Sequence, residues 1–228
     1  MWESVRGMNL LTISDEELSQ LYGSHIRERF SGVDIILSCG DLSYTYLEYI
    51  VSMLDKPLFY VRGNHANLLE HTVTGPKLSP SGGVDIHRKT VSCNGLLIAG
   101  IEGCGHYNYG PYQYSQNEMW LWAFSLVPGL LANHLKYGRY LDVFITHAPP
   151  AGIHDMQDLP HRGIKAFNWI DRVFKPKYHF HGHIHVYRNS TQTSTKYFET
   201  TVINTYGYKQ TNIAVPIIKK RRSKREDE

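Results

Sequence analysis

The segment Tyr178-His179-Phe180-His181-Gly182-His183-Ile184-His185 sets four imidazoles on alternate positions, with a glycine ahead of the last pair. Imidazole is the commonest protein ligand for divalent transition metals, and on a strand running into a turn alternate side chains share a face. His183 and His185, flanking Ile184 after the flexible Gly182, are therefore candidates for half of a metal site. The other half must come from elsewhere. Asp15, Asp41, Asn64-His65 and His147 each stand just beyond a short apolar run. Taken singly, each has an ordinary explanation: Asp15 as a helix cap, Asp41 after Gly40 and Asn64 after Gly63 as turn residues, His147 before Ala148-Pro149-Pro150 as a structural histidine. The ordinary explanations compete with a metal site only if all of them hold at once.

The elements that would position these groups read as follows. Residues 8–14, 33–39 and 57–62 are apolar strands, each ending at a candidate group. Between them the pattern predicts a helix over residues 15–30, with Ser14 or Asp15 as cap and Glu17 closing a capping box, and a second helix over 47–54. Strands alternating with helices, with polar groups past the strand ends, predict a parallel sheet whose site lies at its carboxyl edge. Further strands are expected over 84–91, 96–101 and 141–145, the last delivering Thr146-His147. Helices are expected over 117–137, kinked at Pro128, and over about 164–174. A Gly/Tyr-rich loop carries Tyr107, Tyr109, Tyr112 and Tyr114, and could stack on a base or close as a packed lid. Residues 186–190 and 197–203 read as hairpin strands.

In this order the strand-end groups resemble the calcineurin-like metallophosphoesterase superfamily, whose motifs are D-x-H, G-D, G-N-H-[DE], a lone His and G-H-x-H. Here they stand as Asp15-Glu16-Glu17, Gly40-Asp41, Gly63-Asn64-His65-Ala66, His147 and Gly182-His183-Ile184-His185, a resemblance running from residue 8 to about residue 207. It implies an α/β fold, a four-layer α-β-β-α sandwich of two central mixed sheets flanked by helices. It also implies a phosphoesterase using two divalent ions (Mn, Fe, Zn, Ni or Mg), which lower the pKa of a shared water so that its hydroxide attacks phosphorus in line. By the same resemblance Asp41 bridges the ions, Asn64, His147 and His183 complete one shell, and Asp15 and His185 hold the other ion, with Glu17 in the place of the usual histidine. His65 is then the catalytic residue, stabilising the phosphoryl oxygens or protonating the leaving group.

Two departures bear on activity. Glu17 replaces a histidine, and Ala66 replaces the acidic residue that orients the catalytic imidazole. They favour a rival reading, a weakened or inactive member serving as a protein-interaction module, as a retromer subunit of the superfamily does. The retained Asp41, Asn64, His147, His183 and His185 favour the enzyme, with a phosphodiester preferred over a monoester. His161 and Arg162, in the loop after the His147 strand, are the candidate substrate-binding residues, Arg by its fork geometry. His179 and His181 are assigned supporting roles.

The 228 residues fit one domain, residues 1–218, followed by a basic tail over 219–228 expected to be disordered. The net charge of +3 resides largely in that tail, so the body offers no basic surface for nucleic acid. Three cysteines without a CxxC spacing argue against a disulfide framework or a cysteine zinc site and for a reducing, cytoplasmic setting. No signal peptide and no spanning segment are apparent, and the expected ligand is a small phosphoester, a nucleotide among the candidates. Homo-oligomerisation is left open.

Overall fold

Two sheets stacked face to face and covered by helices on their outer sides make up the computed structural model, which describes residues 5–66, 69–72, 75–188 and 190–216. The first half comprises β1 (Val5–Ser14), a 3-10 turn at Ser19–Leu21, α1 (Ile26–Arg29), β2 (Ile35–Ser38), α2 (Tyr44–Leu54) and β3 (Leu58–Tyr60). The small pair β4 (Glu70–Thr72) and β5 (Gly75–Lys77) follows, then β6 (Gly83–Asp85). The second half comprises β7 (Lys89–Cys93), β8 (Leu96–Ile101), the short β9 (Cys104–Gly105) and β10 (Gln113–Tyr114), α3 (Gln116–Tyr137), β11 (Val143–Thr146) and α4 (Lys165–Phe174). It ends with β12 (Tyr178–His181), β13 (Ser194–Tyr197), β14 (Thr200–Asn204) and β15 (Gly207–Pro216).

One sheet has the order β15-β1-β2-β3-β6 and the other β13-β14-β12-β11-β8-β7. In the first, β1, β2, β3 and β6 run parallel and β15 runs antiparallel along all of β1; in the second, β8, β11, β12 and β14 run parallel between the antiparallel edges β7 and β13. Parallel central strands covered on both faces are near-continuously apolar, which is why residues 8–13, 35–37, 96–101 and 143–145 carry almost nothing else. Alternation sorts their side chains into layers. Leu10, Leu37, Ile98 and Val143 meet between the sheets, Leu11 and Ile36 face α1 and α2, and Ala99 and Phe144 face α3 and α4. The four-layer sandwich of two mixed sheets is thus the observed architecture.

Several local expectations differ. The helix expected over 15–30 is reduced to the 3-10 turn and the four-residue α1, because Asp15 turns the chain at φ 65 and Leu18 is extended at φ −86, ψ 135. No capping box forms there: Ser14 ends β1, and the carboxylate of Glu17 accepts from the N–H and Oγ of Ser43 at the start of α2. The strand expected over 84–91 is two strands, β6 and β7, one in each sheet, with the chain crossing between layers at Ile86–Arg88. The expected strand over 197–203 is a β13–β14 hairpin turned at Phe198, φ 50, and no strand forms among the described residues of 186–190. α3 runs unbroken through Pro128 between a Ser115/Glu118 capping box and Gly138 in the left-handed region, φ 71. No helix among the described residues is long and apolar enough to cross a membrane. All three cysteines are free. The basic tail over 219–228 lies outside the described residues.

Candidate metal centre

β1, β2, β3, β11 and β12 end at one edge of the sandwich, and the turns beyond them are unusual. Asp15 at φ 65, Asp41 at φ 55 and His183 at φ 67 all occupy the left-handed region. Such a backbone costs a non-glycine residue about 1 kcal/mol or more, and it concentrates where side chains must be aimed. Close approach demands glycine at the flanking positions. A Cβ on Gly63 would meet Asp41 Oδ1 at 2.0 Å and His147 Cε1 at 2.7 Å, and one on Gly182 would meet Ser14 Oγ at 1.8 Å.

The resulting core of the centre is Asp41, His147 and His183, whose ligating atoms lie within 4.8 Å of one another. His147 is fully buried, and its two ring nitrogens have different tasks. Nδ1 lies 2.8 Å from the carbonyl of Cys39 and donates to it. Nε2 then turns 2.9 Å from Asn64 Oδ1 and 3.1 Å from Asp41 Oδ2. In a neutral imidazole that leaves three lone pairs converging with no hydrogen among them. A proton or a metal ion resolves the conflict. In the metal-free protein it is a proton: burial alone would push His147 down, but the carboxylates of Asp41 and Asp15 outweigh it and raise the imidazole to about 9. Burial likewise works against the Asp41 carboxylate, yet His147 and the backbone N–H of His65, 2.9 Å from Oδ1, bring it down to about 2.

His183 is oriented in the same manner by a different carbonyl. Its Nε2 lies 2.7 Å from Pro160 O, leaving Nδ1 as the free lone pair, while burial holds the ring neutral with a pKa pushed down to about 3. Its ring centroid is 4.9 Å from that of His147. Asp15 closes the floor: both its oxygens accept the His183 N–H at 3.0 Å, and Ser14 Oγ donates to Oδ2 at 2.5 Å. Burial raises this carboxyl above its usual range. His185 Nε2 stands 4.0 Å from Asp15 Oδ1, on the exposed side of the centre.

The remaining predicted residues fall around this core. Glu17 is exposed, with its carboxylate engaged by Ser43. His65 is exposed in a cleft of about 630 Å³ that it shares with Asp41, Ser43, Ala66, Glu70 and His71. A second cleft, of about 340 Å³, borders the centre at His185 and is walled by His154, Asp155, Tyr187 and Arg188. His161 Nδ1 pairs with Asp158 at 2.6 Å and its ring lies 5.3 Å from that of His183, whereas Arg162 turns toward the carbonyl of Gln157 at 3.5 Å. His179 and His181 lie on the face of β12 opposite Phe180, His179 turned toward α4. His179 is bonded to Asp171 at 2.8 Å and Thr146 at 2.9 Å, and His181 to His154 at 2.9 Å. Sequence reasoning missed the carbonyls of Cys39 and Pro160, which no side-chain motif reports, and read Tyr107 only as a stacking or lid residue, whereas its hydroxyl accepts from Asn64 Nδ2 at 2.9 Å.

Among solved structures, one crystal structure aligns at a TM-score of 0.61 with 14% identity over 93% of this chain and 100% of its own. TT1561 of Thermus thermophilus aligns at 0.58 with 13% identity over 93% and 100%. Vacuolar Protein Sorting 29 from Cryptosporidium parvum aligns at 0.42 with 13% identity over 88% and 75%. A search of curated proteins finds no match. The family model for calcineurin-like phosphoesterases matches residues 14–187. That match opens at Ser14, where β1 ends, and closes at Tyr187, two residues past His185, so it takes in every strand end that carries a group to the centre; the chain belongs to the calcineurin-like phosphoesterase family.

Proposed function

We propose that the chain is a metal-dependent phosphodiesterase with two unequal ion positions. Asp41, Asn64, His147 and His183 hold the tighter ion, and Asp15, Asp41 and His185 hold a weaker one. The observation that carries this reading is the convergence of Asp41 Oδ2, Asn64 Oδ1 and His147 Nε2 in a buried site, with the Nδ1–H committed to the Cys39 carbonyl, so that a cation, proton or metal, has to sit among the three. Mixed carboxylate, amide and imidazole donors suit Mn, Fe, Zn, Ni or Mg. Glu17, engaged by Ser43, would join the weaker position only by releasing that bond.

Bound divalent ions supply Lewis-acid polarisation of a phosphoryl oxygen and a water of lowered pKa. The chain supplies the rest. His65, held at the mouth of the larger cleft by its backbone bond to Asp41, donates to a phosphoryl or leaving-group oxygen without a neighbouring carboxylate at Ala66 to fix its ring. His161, beside His183, and Arg162 after it contact the phosphoryl group from the covering loop. A diester has two substituents, and two clefts border the centre, one at Asp41 and His65 and one at His185. Tyr187, 81% exposed in the second wall, offers a face for stacking a nucleobase. Three free thiols, two of them buried, fit a reducing cytoplasm.

The test is hydrolysis of bis-p-nitrophenyl phosphate against p-nitrophenyl phosphate with Mn²⁺, Ni²⁺, Fe²⁺ or Mg²⁺ supplied. The reading predicts metal-dependent turnover, faster on the diester, and its loss in Asp41→Asn. No turnover with any of the four metals would favour the interaction-module reading, and faster monoester turnover would remove the diester preference alone.

A further inference from the structure

The loop between β8 and α3 carries the tyrosines that stacking or lid readings would use, yet its bonding ties it to the metal centre. Gly103 N–H donates to Arg62 O at 2.8 Å, and Gly103 O accepts from Ala148 N–H at 3.2 Å. One residue thereby links the chain just before Gly63-Asn64 to the chain just after His147. From this anchor the loop is braced across its width. Cys104 N–H donates to Tyr112 O at 3.1 Å, His106 N–H donates to Tyr114 O at 3.1 Å, and β9 pairs with β10. The buried Gln113 then accepts from the N–H groups of both Tyr107 and Asn108 at 3.1 Å through one oxygen, and donates to Asn108 Oδ1 at 2.6 Å. The backbone of Tyr107 is thus fixed from two sides, and its hydroxyl accepts from Asn64 Nδ2 at 2.9 Å.

We propose that Tyr107 is a positioning residue for the metal centre, holding the Asn64 amide so that its oxygen is presented beside His147 Nε2. The inference rests on the proposed ligand set and adds to it. Asn64 is 5% exposed, so an amide nitrogen turned away from the ion must find an acceptor inside the protein. With the ion bound and Oδ1 engaged, the Tyr107 hydroxyl is that acceptor. Without it Nδ2 has no partner while Oδ1 faces His147 Nε2 and the ion, and the amide regains one only by turning its oxygen away. Removing the hydroxyl therefore loosens the hold on the oxygen that faces the ion, and such partners of metal ligands typically control affinity by about 10- to 100-fold.

The experiment is calorimetric titration of Mn²⁺ into wild type, Tyr107→Phe and Tyr109→Phe, with Co²⁺ absorption spectra and metal-free melting curves recorded on each. Tyr109 lies in the same loop and is 89% exposed, which makes it the control. The expected result is Mn²⁺ affinity weakened about 10-fold or more in Tyr107→Phe only, with an altered Co²⁺ ligand-field spectrum. Wild-type affinity in Tyr107→Phe overturns the inference while leaving the centre standing. A lowered metal-free melting temperature with unchanged affinity assigns Tyr107 a purely structural role and also overturns it. Failure of the wild type to bind Mn²⁺ overturns the centre and the inference together.

Discussion

His147 Nε2 and Asp41 Oδ2 face each other at 3.1 Å, with the Nδ1 of the same ring committed to the Cys39 carbonyl. In the absence of metal the pair is held by a proton, since His147 is raised to about 9 and Asp41 lowered to about 2. A divalent ion has to expel that proton. Mn²⁺ binding between pH 7 and 8 should release close to one proton per ion at this position, and affinity should climb with pH until about 9. Calorimetry in buffers of different ionisation enthalpy measures the release; proton-neutral binding would remove His147 from the ligand set. In the metal-free protein the raised pKa contributes stability that is fully present below about pH 6.5 and is lost as pH rises through about 9.

Glu17 and Ser43 give a second prediction. Because the carboxylate holds the N-terminus of α2, Glu17→Ala should cost about 1 kcal/mol, a melting decrease of about 2–4 °C, without lowering the number of tightly bound ions. Glu17→His should cost similar stability and raise the tightly bound stoichiometry from one ion toward two. Melting curves with elemental analysis check both. A loss of bound metal in Glu17→Ala would make the native glutamate a ligand.

His87 yields a prediction away from the centre. Burial lowers this histidine to about 4, and its Nε2 lies 3.6 Å from Glu102 Oε1. The unfolded chain takes up a proton near pH 6.5 that the folded chain refuses until about 4. Stability should therefore be full above pH 6.5 and fall by on the order of 3 kcal/mol as pH drops to about 4, with no further loss from this group below that. Urea denaturation of metal-free wild type and His87→Gln across pH 4–7 tests it; equal slopes would contradict the assignment.

Gly63 tests how closely the centre is built. A methyl group there would overlap Asp41 Oδ1 and His147 Cε1, so Gly63→Ala should lose at least about 100-fold in Mn²⁺ affinity while circular dichroism retains the folded pattern. Unchanged affinity would show that the turn can move aside.

Much of this was legible in the sequence for a definite reason. Buried parallel strands are written as apolar runs, and their ends are where the fold exposes polar groups, so Asp15, Asp41, Asn64, His147 and His183 could be picked from position alone. The helix expected over 15–30 failed because its periodicity was real but the left-handed Asp15 and extended Leu18 serve the site rather than the helix. β15 escaped because an antiparallel edge strand with one exposed face, Gly207 to Pro216, mixes polar residues freely. The bonds that orient the imidazoles come from the carbonyls of Cys39 and Pro160, and backbone acceptors leave no trace in residue type.

The most direct test of the centre is metal stoichiometry in the Mn²⁺-loaded, gel-filtered protein, wild type beside His147→Ala. One tightly retained ion per chain, absent from His147→Ala, is the result predicted by the convergence of Asp41, Asn64 and His147. A wild type that retains no ion, or a His147→Ala variant that retains it equally well, would contradict it.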